Sequence, residues 1–141
     1  MLDDLGLVAA LPRFLNQWAA HHQITAEFHT AGVSRGQLSK DAELACYRVM
    51  QEALNNVVKH AHATRVDVIL EHRDSAVVML IEDDGIGFDP DAIDGLRGFG
   101  IASMRERAAL VGATLEVESS GGDGTTVFLK MPAAADGDQP A

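Results

Sequence analysis

Residues 51–61, Gln51-Glu52-Ala53-Leu54-Asn55-Asn56-Val57-Val58-Lys59-His60-Ala61, constrain this chain more than any other stretch. At about 3.6 residues per helical turn, Glu52, Asn56, Lys59 and His60 fall at i, i+4, i+7 and i+8 and share one face. Met50, Ala53, Leu54, Val57 and Ala61 form the other. A helix divided in this way buries its apolar side while presenting a carboxylate, an amide, an ammonium and an imidazole together. Alone, the stripe also describes an ordinary solvated face, and the glycines further along the chain separate the two readings.

The 141 residues suit one domain with a real core, and 47% apolar composition with several periodic segments argues against disorder. No run of about 18 apolar residues occurs and the start lacks the features of an export signal, so a cytoplasmic domain is expected. Cys46, the single cysteine, excludes an internal disulfide and a thiolate metal cluster. Its place between Ala45 and Tyr47 in a helical pattern predicts a buried, inert thiol. A net charge of -10 repels polyanions, so nucleic acid is not an expected partner. A phosphate ligand would have to be held locally, by a metal ion, helix N-termini or a few placed cations.

In chain order, residues 7–22 read as a helix, with Leu7, Leu11, Phe14, Leu15 and Trp18 at helical spacing and Pro12 tolerable near the first turn. Residues 24–30 alternate apolar and polar, which predicts a half-buried strand. A loop at 32–36 precedes the central helix over 42–60, capped by Ser39 or Asp41. Strands follow at 65–72 and at 76–82, the second apolar almost throughout, joined by the turn Arg73-Asp74-Ser75.

Then the character changes. Asp83-Asp84-Gly85-Ile86-Gly87 leaves a strand directly into a glycine turn, residues 89–97 are polar, and Gly98-Phe99-Gly100 opens a helix over 101–111. The first glycines permit close approach of backbone to a ligand, and the free N–H groups of the new helix point back at whatever precedes it. The segment between them reads as a mobile lid. Residues 113–118 and 125–131 predict a closing hairpin around a glycine loop at 121–124. A carboxylate such as Asp83 at a strand end can accept a hydrogen bond from an exocyclic amine of the kind adenine carries, although it can equally cap a turn.

The conjunction of the helix bearing Glu52 and Asn56, two strands, Asp83-x-Gly85-x-Gly87, a loop and Gly98-x-Gly100 resembles one family. It is the ATP-binding domain shared by sensor histidine kinases, type II topoisomerases, a heat-shock chaperone family and mismatch-repair ATPases. Lys59-His60-Ala61 and the run from Gly100 to Ala108 are similar to the nitrate-sensor type of two-component histidine kinase in particular. The resemblance covers residues 2–132 and implies an α/β two-layer sandwich of the Bergerat type. Its sheet would be mixed and mostly antiparallel, with about five strands covered on one face by three helices.

The same resemblance implies ATP and Mg²⁺ as ligands. Asn56 would be the Mg²⁺ ligand and Glu52 the acidic residue that polarises the attacking group in the ATPase relatives, while Lys59 and His60 lie near the phosphates. Asp83 would take the adenine amine with Gly85 and Gly87 shaping the pocket. Gly98 and Gly100 would line the phosphate end, and Thr125 would stand beside the nucleotide. Residues 1–6 resemble the end of a linker, 7–132 the catalytic domain, and 133–141 read as a disordered tail.

Two departures bear on function. None of the six histidines lies on a long helix with an acidic residue directly after it, as a phosphoacceptor would, which suggests a piece of a longer protein. The glycine loop at 121–124 also lacks a proline common there. The resemblance therefore implies the catalytic half of a sensor kinase that phosphorylates a histidine on an absent dimerisation domain, for relay to a response regulator. The piece would be monomeric and its parent homodimeric. The alternatives are a stand-alone serine kinase that doubles as a sigma-factor-binding switch, and a non-enzymatic nucleotide sensor.

Overall fold

The computed structural model describes residues 6–86, 100–119 and 124–133. The elements run α1 (Leu7–His22), β1 (Thr25–Ala31), α2 (Lys40–Asn56), a π-helical turn (Val57–Ala61), β2 (Arg65–Arg73), β3 (Ala76–Asp83), α3 (Ile101–Ala109), β4 (Thr114–Ser119) and β5 (Thr125–Pro132). The five strands form one sheet in the order β1-β2-β3-β5-β4. Only β1 and β2 pair in parallel; the other three ladders are antiparallel. The sheet is therefore mixed and mostly antiparallel, as expected. The closing hairpin folds back so that β5, not β4, adds to β3.

Strand periodicity sorts side chains to two faces. Val66, Val68 and Leu70 of β2, Val77, Met79 and Ile81 of β3, and Val127, Leu129 and Met131 of β5 face the helices and are buried. Leu11 and Leu15 of α1, Val49, Met50 and Leu54 of α2, and Ile101 and Met104 of α3 meet them in one core. Ser39 caps α2, its Oγ accepting from the Ala42 N–H at 3.1 Å, and Asp41 and Glu43 occupy the first turn, where helix dipole and carboxylate attract. Cys46 is fully buried with its Sγ 3.6 Å from Met79 Sδ. Burial, and then Glu43, push its pKa up, so the thiol is inert as expected.

Two expectations need correction. The first helix has the expected bounds, Leu7–His22, but Pro12 is its sixth residue and so lies in the second turn rather than near the first. The central helix is not regular to residue 60: at Val57 it widens into a π turn that ends at His62 in a left-handed conformation, φ 51°. A wider turn changes the angular step per residue, so Lys59 does not continue the face set by Glu52 and Asn56 as a uniform 3.6-residue helix (about 100° per residue) would make it. The tail at 134–141 lies outside the described residues.

Candidate active site

The inward row Val77, Met79, Ile81 of β3 ends at Asp83, so the alternation that builds the core also aims a carboxylate toward the helical layer at the end of the sheet's central strand. Cross-strand register sets Asp83 beside Val66 on one side and Thr125 on the other. Its Oδ1 accepts the Gly85 N–H at 2.8 Å. Partial burial is the main reason that its pKa is raised, with the neighbouring charge of Asp84 adding to it; hydrogen bonds from the Gly85 and Thr125 backbones act the other way. Thr125 Oγ1 lies 2.9 Å from Ser119 Oγ, which fixes the hydroxyl row next to the carboxylate.

Gly124 has φ 78° and rests on the Asp83 backbone; a Cβ there would overlap the Asp83 carbonyl oxygen. The last glycine of the final loop is thus required by the close approach of two strand ends at the site itself. Gly85 is buried directly beyond Asp83.

Asn56 ends α2, with its Oδ1 buried. Glu52, one turn earlier, reaches across to α3: a Cβ on Gly100 would meet the Glu52 carboxylate, with its Cδ at 3.0 Å. Gly100 caps α3 at φ 64°. Glu52 and Gly100 are therefore brought together, and the N-terminus of α3 lies beside a carboxylate. Lys59 is exposed on the π turn. The backbone of His60 belongs to that turn. Gly87, Gly98 and the lid expected at 89–97 lie outside the described residues.

Sequence reasoning missed Asp84 and Thr64. Asp84 Oδ1 accepts the Thr64 and Arg65 N–H groups at 2.8 and 2.9 Å, and its Oδ2 accepts the Thr64 hydroxyl at 2.6 Å. These bonds hold its pKa below the usual carboxylate value. An Asp in the second place of Asp-Asp-Gly reads as turn chemistry, and nothing in spacing links it to a threonine 20 residues earlier.

A groove of about 420 Å³ between α1, α2 and α3 is lined by helix residues including Trp18, Arg48, Glu52 and Arg107. It reaches Glu52 without touching Asn56 or Asp83, so it is not the base pocket. On the open face of the sheet, Glu27, His29 and Asp67 could together offer metal ligands. There the Arg65 guanidinium already grips Asp67 through two bonds, at 3.1 and 2.9 Å, and lies 3.1 Å from Glu27. That geometry is an ion-pair network.

The assembled features are a strand-end carboxylate, an amide at the end of the adjoining helix and a glycine-opened third helix. The family described as histidine kinase-, DNA gyrase B-, and HSP90-like ATPase matches residues 41–135. The chain belongs to this family. As a member of this ATPase family it carries a site for ATP. Among curated relatives it is 33% identical over 132 residues to the signal transduction histidine-protein kinase/phosphatase DegS of Brevibacillus brevis. It is 35% identical over 131 residues to the oxygen sensor histidine kinase NreB of Staphylococcus carnosus.

Each match covers 93% of this chain but only 33% and 38% of the relative, so the chain spans roughly a third of their length. This kinship bears out the resemblance to sensor histidine kinases. Among solved structures, the histidine kinase domain of the Erythrobacter litoralis EL346 blue-light activated kinase superposes with TM-score 0.71 at 21% identity, covering 88% of this chain and 59% of that one. Full-length ShkA, solved in complex with AMPPNP, gives 0.73 at 20% identity, covering 96% and 30%. At these identities the likeness establishes the two-layer fold. No helix among the described residues is long and apolar enough to cross a membrane.

Proposed function

We propose that this chain is the ATP-binding catalytic domain of a two-component sensor histidine kinase, giving the γ-phosphoryl group of ATP to a histidine on a separate dimerisation domain for relay to a response regulator. The observation that carries the reading is Asp83: an inward-facing, partly buried carboxylate where the core row of β3 ends, in a chain related to DegS and NreB. Its direction, set by the alternation of β3 toward the helical layer rather than solvent, suits an adenine amine.

The base end of the site is Asp83 with Gly85 and Thr125, and Gly87 in sequence. The phosphate end is Asn56, Glu52 and Gly100, with Gly98, Lys59 and His60. The donor chemistry fits Mg²⁺, since a buried amide oxygen is a hard ligand, and Asn56 would hold the ion. Mg²⁺ bound there would neutralise the charge that builds on the phosphates. Phosphoryl transfer asks little covalent chemistry of the protein, so positioning by these residues accounts for the chain's share of the reaction. Glu52, whose carboxylate lies against Gly100, would polarise the incoming nucleophile. Kinship with DegS and NreB favours this reading over a stand-alone serine kinase or a non-enzymatic sensor.

Four of the six histidines lie on elements other than the helix that carries Asn56. His21 and His22 end α1, His29 lies in β1 within 3.3 Å of Glu27, and His72 Nδ1 lies 3.4 Å from Gln37. Incubation with γ-labelled ATP and Mg²⁺ should leave this chain unlabelled and label a dimerisation fragment added from the same parent protein. Acid-labile phosphate on the isolated chain, or no transfer to that fragment, would contradict the assignment.

A further inference from the structure

Residues 57–65 form the chain's route from Asn56 back to the sheet, and little regular structure holds them. The π turn Val57–Ala61 gives way to His62 at φ 51°, a conformation uncommon for any residue with a side chain. The route becomes fixed at Thr64. Its carbonyl accepts the Thr25 N–H at 3.0 Å, and its N–H and hydroxyl both donate to the carboxylate of Asp84. Arg65 and Asp84 then exchange a pair of bonds: Arg65 N–H to Asp84 Oδ1 at 2.9 Å, and Asp84 N–H to the Arg65 carbonyl at 3.3 Å.

Asp84 is the chain neighbour of Asp83. Its carboxylate consequently ties Thr64 and Arg65, where the route from Asn56 enters β2, to the chain neighbour of the proposed base acceptor, adding side-chain bonds at the end of the β2–β3 ladder. A carboxylate with four acceptor sites can take three donors from two successive residues and a hydroxyl; an Ala takes none.

We infer that Asp84 is a positioning residue that sets the distance and angle between the phosphate-side and base-side halves of the nucleotide site. The inference rests on the function proposed above. Loosening Asp84 releases the loop at 62–65 and, through it, the π turn with Lys59 and His60, while Asp83 keeps its own bond to Gly85. Recognition of the triphosphate suffers and recognition of the base does not.

The test compares Mg²⁺-ATP with adenosine by calorimetry on the wild-type chain, Asp84→Ala, Asp84→Asn and Thr64→Val. In Asp84→Ala the ratio of ATP to adenosine affinity should fall roughly tenfold, the scale of losing hydrogen bonds to a charged group, with adenosine affinity held within about twofold. Asp84→Asn keeps an oxygen for the two backbone donors and an amide that can donate to the Thr64 hydroxyl, so it should recover most of the ratio. Thr64→Val removes one bond and should fall between. An unchanged ratio in Asp84→Ala, or equal loss of both ligands, overturns the inference while leaving the function standing. A wild-type chain that binds neither ligand overturns the function and this inference with it. Should Asp84→Ala fail to fold, Thr64→Val decides by the same criteria: a lowered ratio supports positioning, and an unchanged one refutes it.

Discussion

Gly124 sits on the backbone of Asp83 so closely that a Cβ would overlap the Asp83 carbonyl oxygen and stand 3.2 Å from its carbonyl carbon. The final glycine loop and the strand-end carboxylate are thus one construction. Gly112 offers an internal control, because its φ of 72° is similar but nothing lies within 4 Å of a Cβ built there. Gly112→Ala should lose only the left-handed backbone term, about 1 kcal/mol, whereas Gly124→Ala adds a collision with backbone that cannot swing aside and should lose about 2–3 kcal/mol. Urea denaturation of both variants checks this, and equal losses would mean that the Asp83 backbone yields freely.

Asp83→Asn should reduce ATP affinity about ten- to a hundredfold, since an acceptor facing an amine becomes a group that can present a donor. Stability should move the other way. Burial raises the Asp83 pKa above the ordinary value of 3.8, so the folded chain binds that proton more tightly than the unfolded chain. Its contribution is most favourable below pH 3.8 and is lost as pH rises through the raised value, leaving an ionised, partly desolvated carboxylate at neutral pH. Thermal melts without nucleotide should therefore show Asp83→Asn at least as stable as wild type at pH 7, with its advantage shrinking as the pH is lowered toward 4. A variant that melts lower at neutral pH would show that the carboxylate serves the fold rather than a ligand.

How much of this was legible depended on the kind of signal. Strict alternation over residues 24–30 and the apolar run at 76–82 revealed strands because burial on one or both faces is written in side-chain chemistry; their ends moved by one residue, to Ala31 and Asp83. Asp83 and Gly100 could be picked out because each stood at an element's end, and Asn56 because it shares a helix face with Glu52 in the pattern the resemblance carries. The π turn at Val57–Ala61 was illegible: an added residue per turn leaves no mark in composition, and Val57 is buried either way. Insertion of β5 between β3 and β4 was equally hidden, because a hairpin signal does not say which strand docks on the sheet. Asp84 was invisible because its partners, Thr64 and Arg65, are defined by two backbone N–H groups and a hydroxyl that any loop could carry.

Glu52 and Gly100 should show a measurable energetic coupling. Gly100→Ala forces a Cβ into the Glu52 carboxylate and strains a φ of 64°, and should cost about 1–3 kcal/mol. In a Glu52→Ala background the collision is gone and only the backbone strain remains, so part of that loss should return. A double-mutant cycle by urea denaturation should give a coupling of about 0.5–1 kcal/mol. Strict additivity would show that the Glu52 side chain simply rotates away.

The central claim is a single nucleotide site with its base end at Asp83 and its phosphate end at Asn56. Calorimetric titration of ATP into the wild-type chain and Asn56→Ala, each with Mg²⁺ and with the metal chelated, tests it most directly. The account predicts one ATP per wild-type chain, tighter binding with Mg²⁺, and loss of that Mg²⁺-dependent gain in Asn56→Ala while metal-free binding stays nearly the same. Absence of ATP binding by the wild-type chain, or an undiminished Mg²⁺ gain in a folded Asn56→Ala chain, would contradict it.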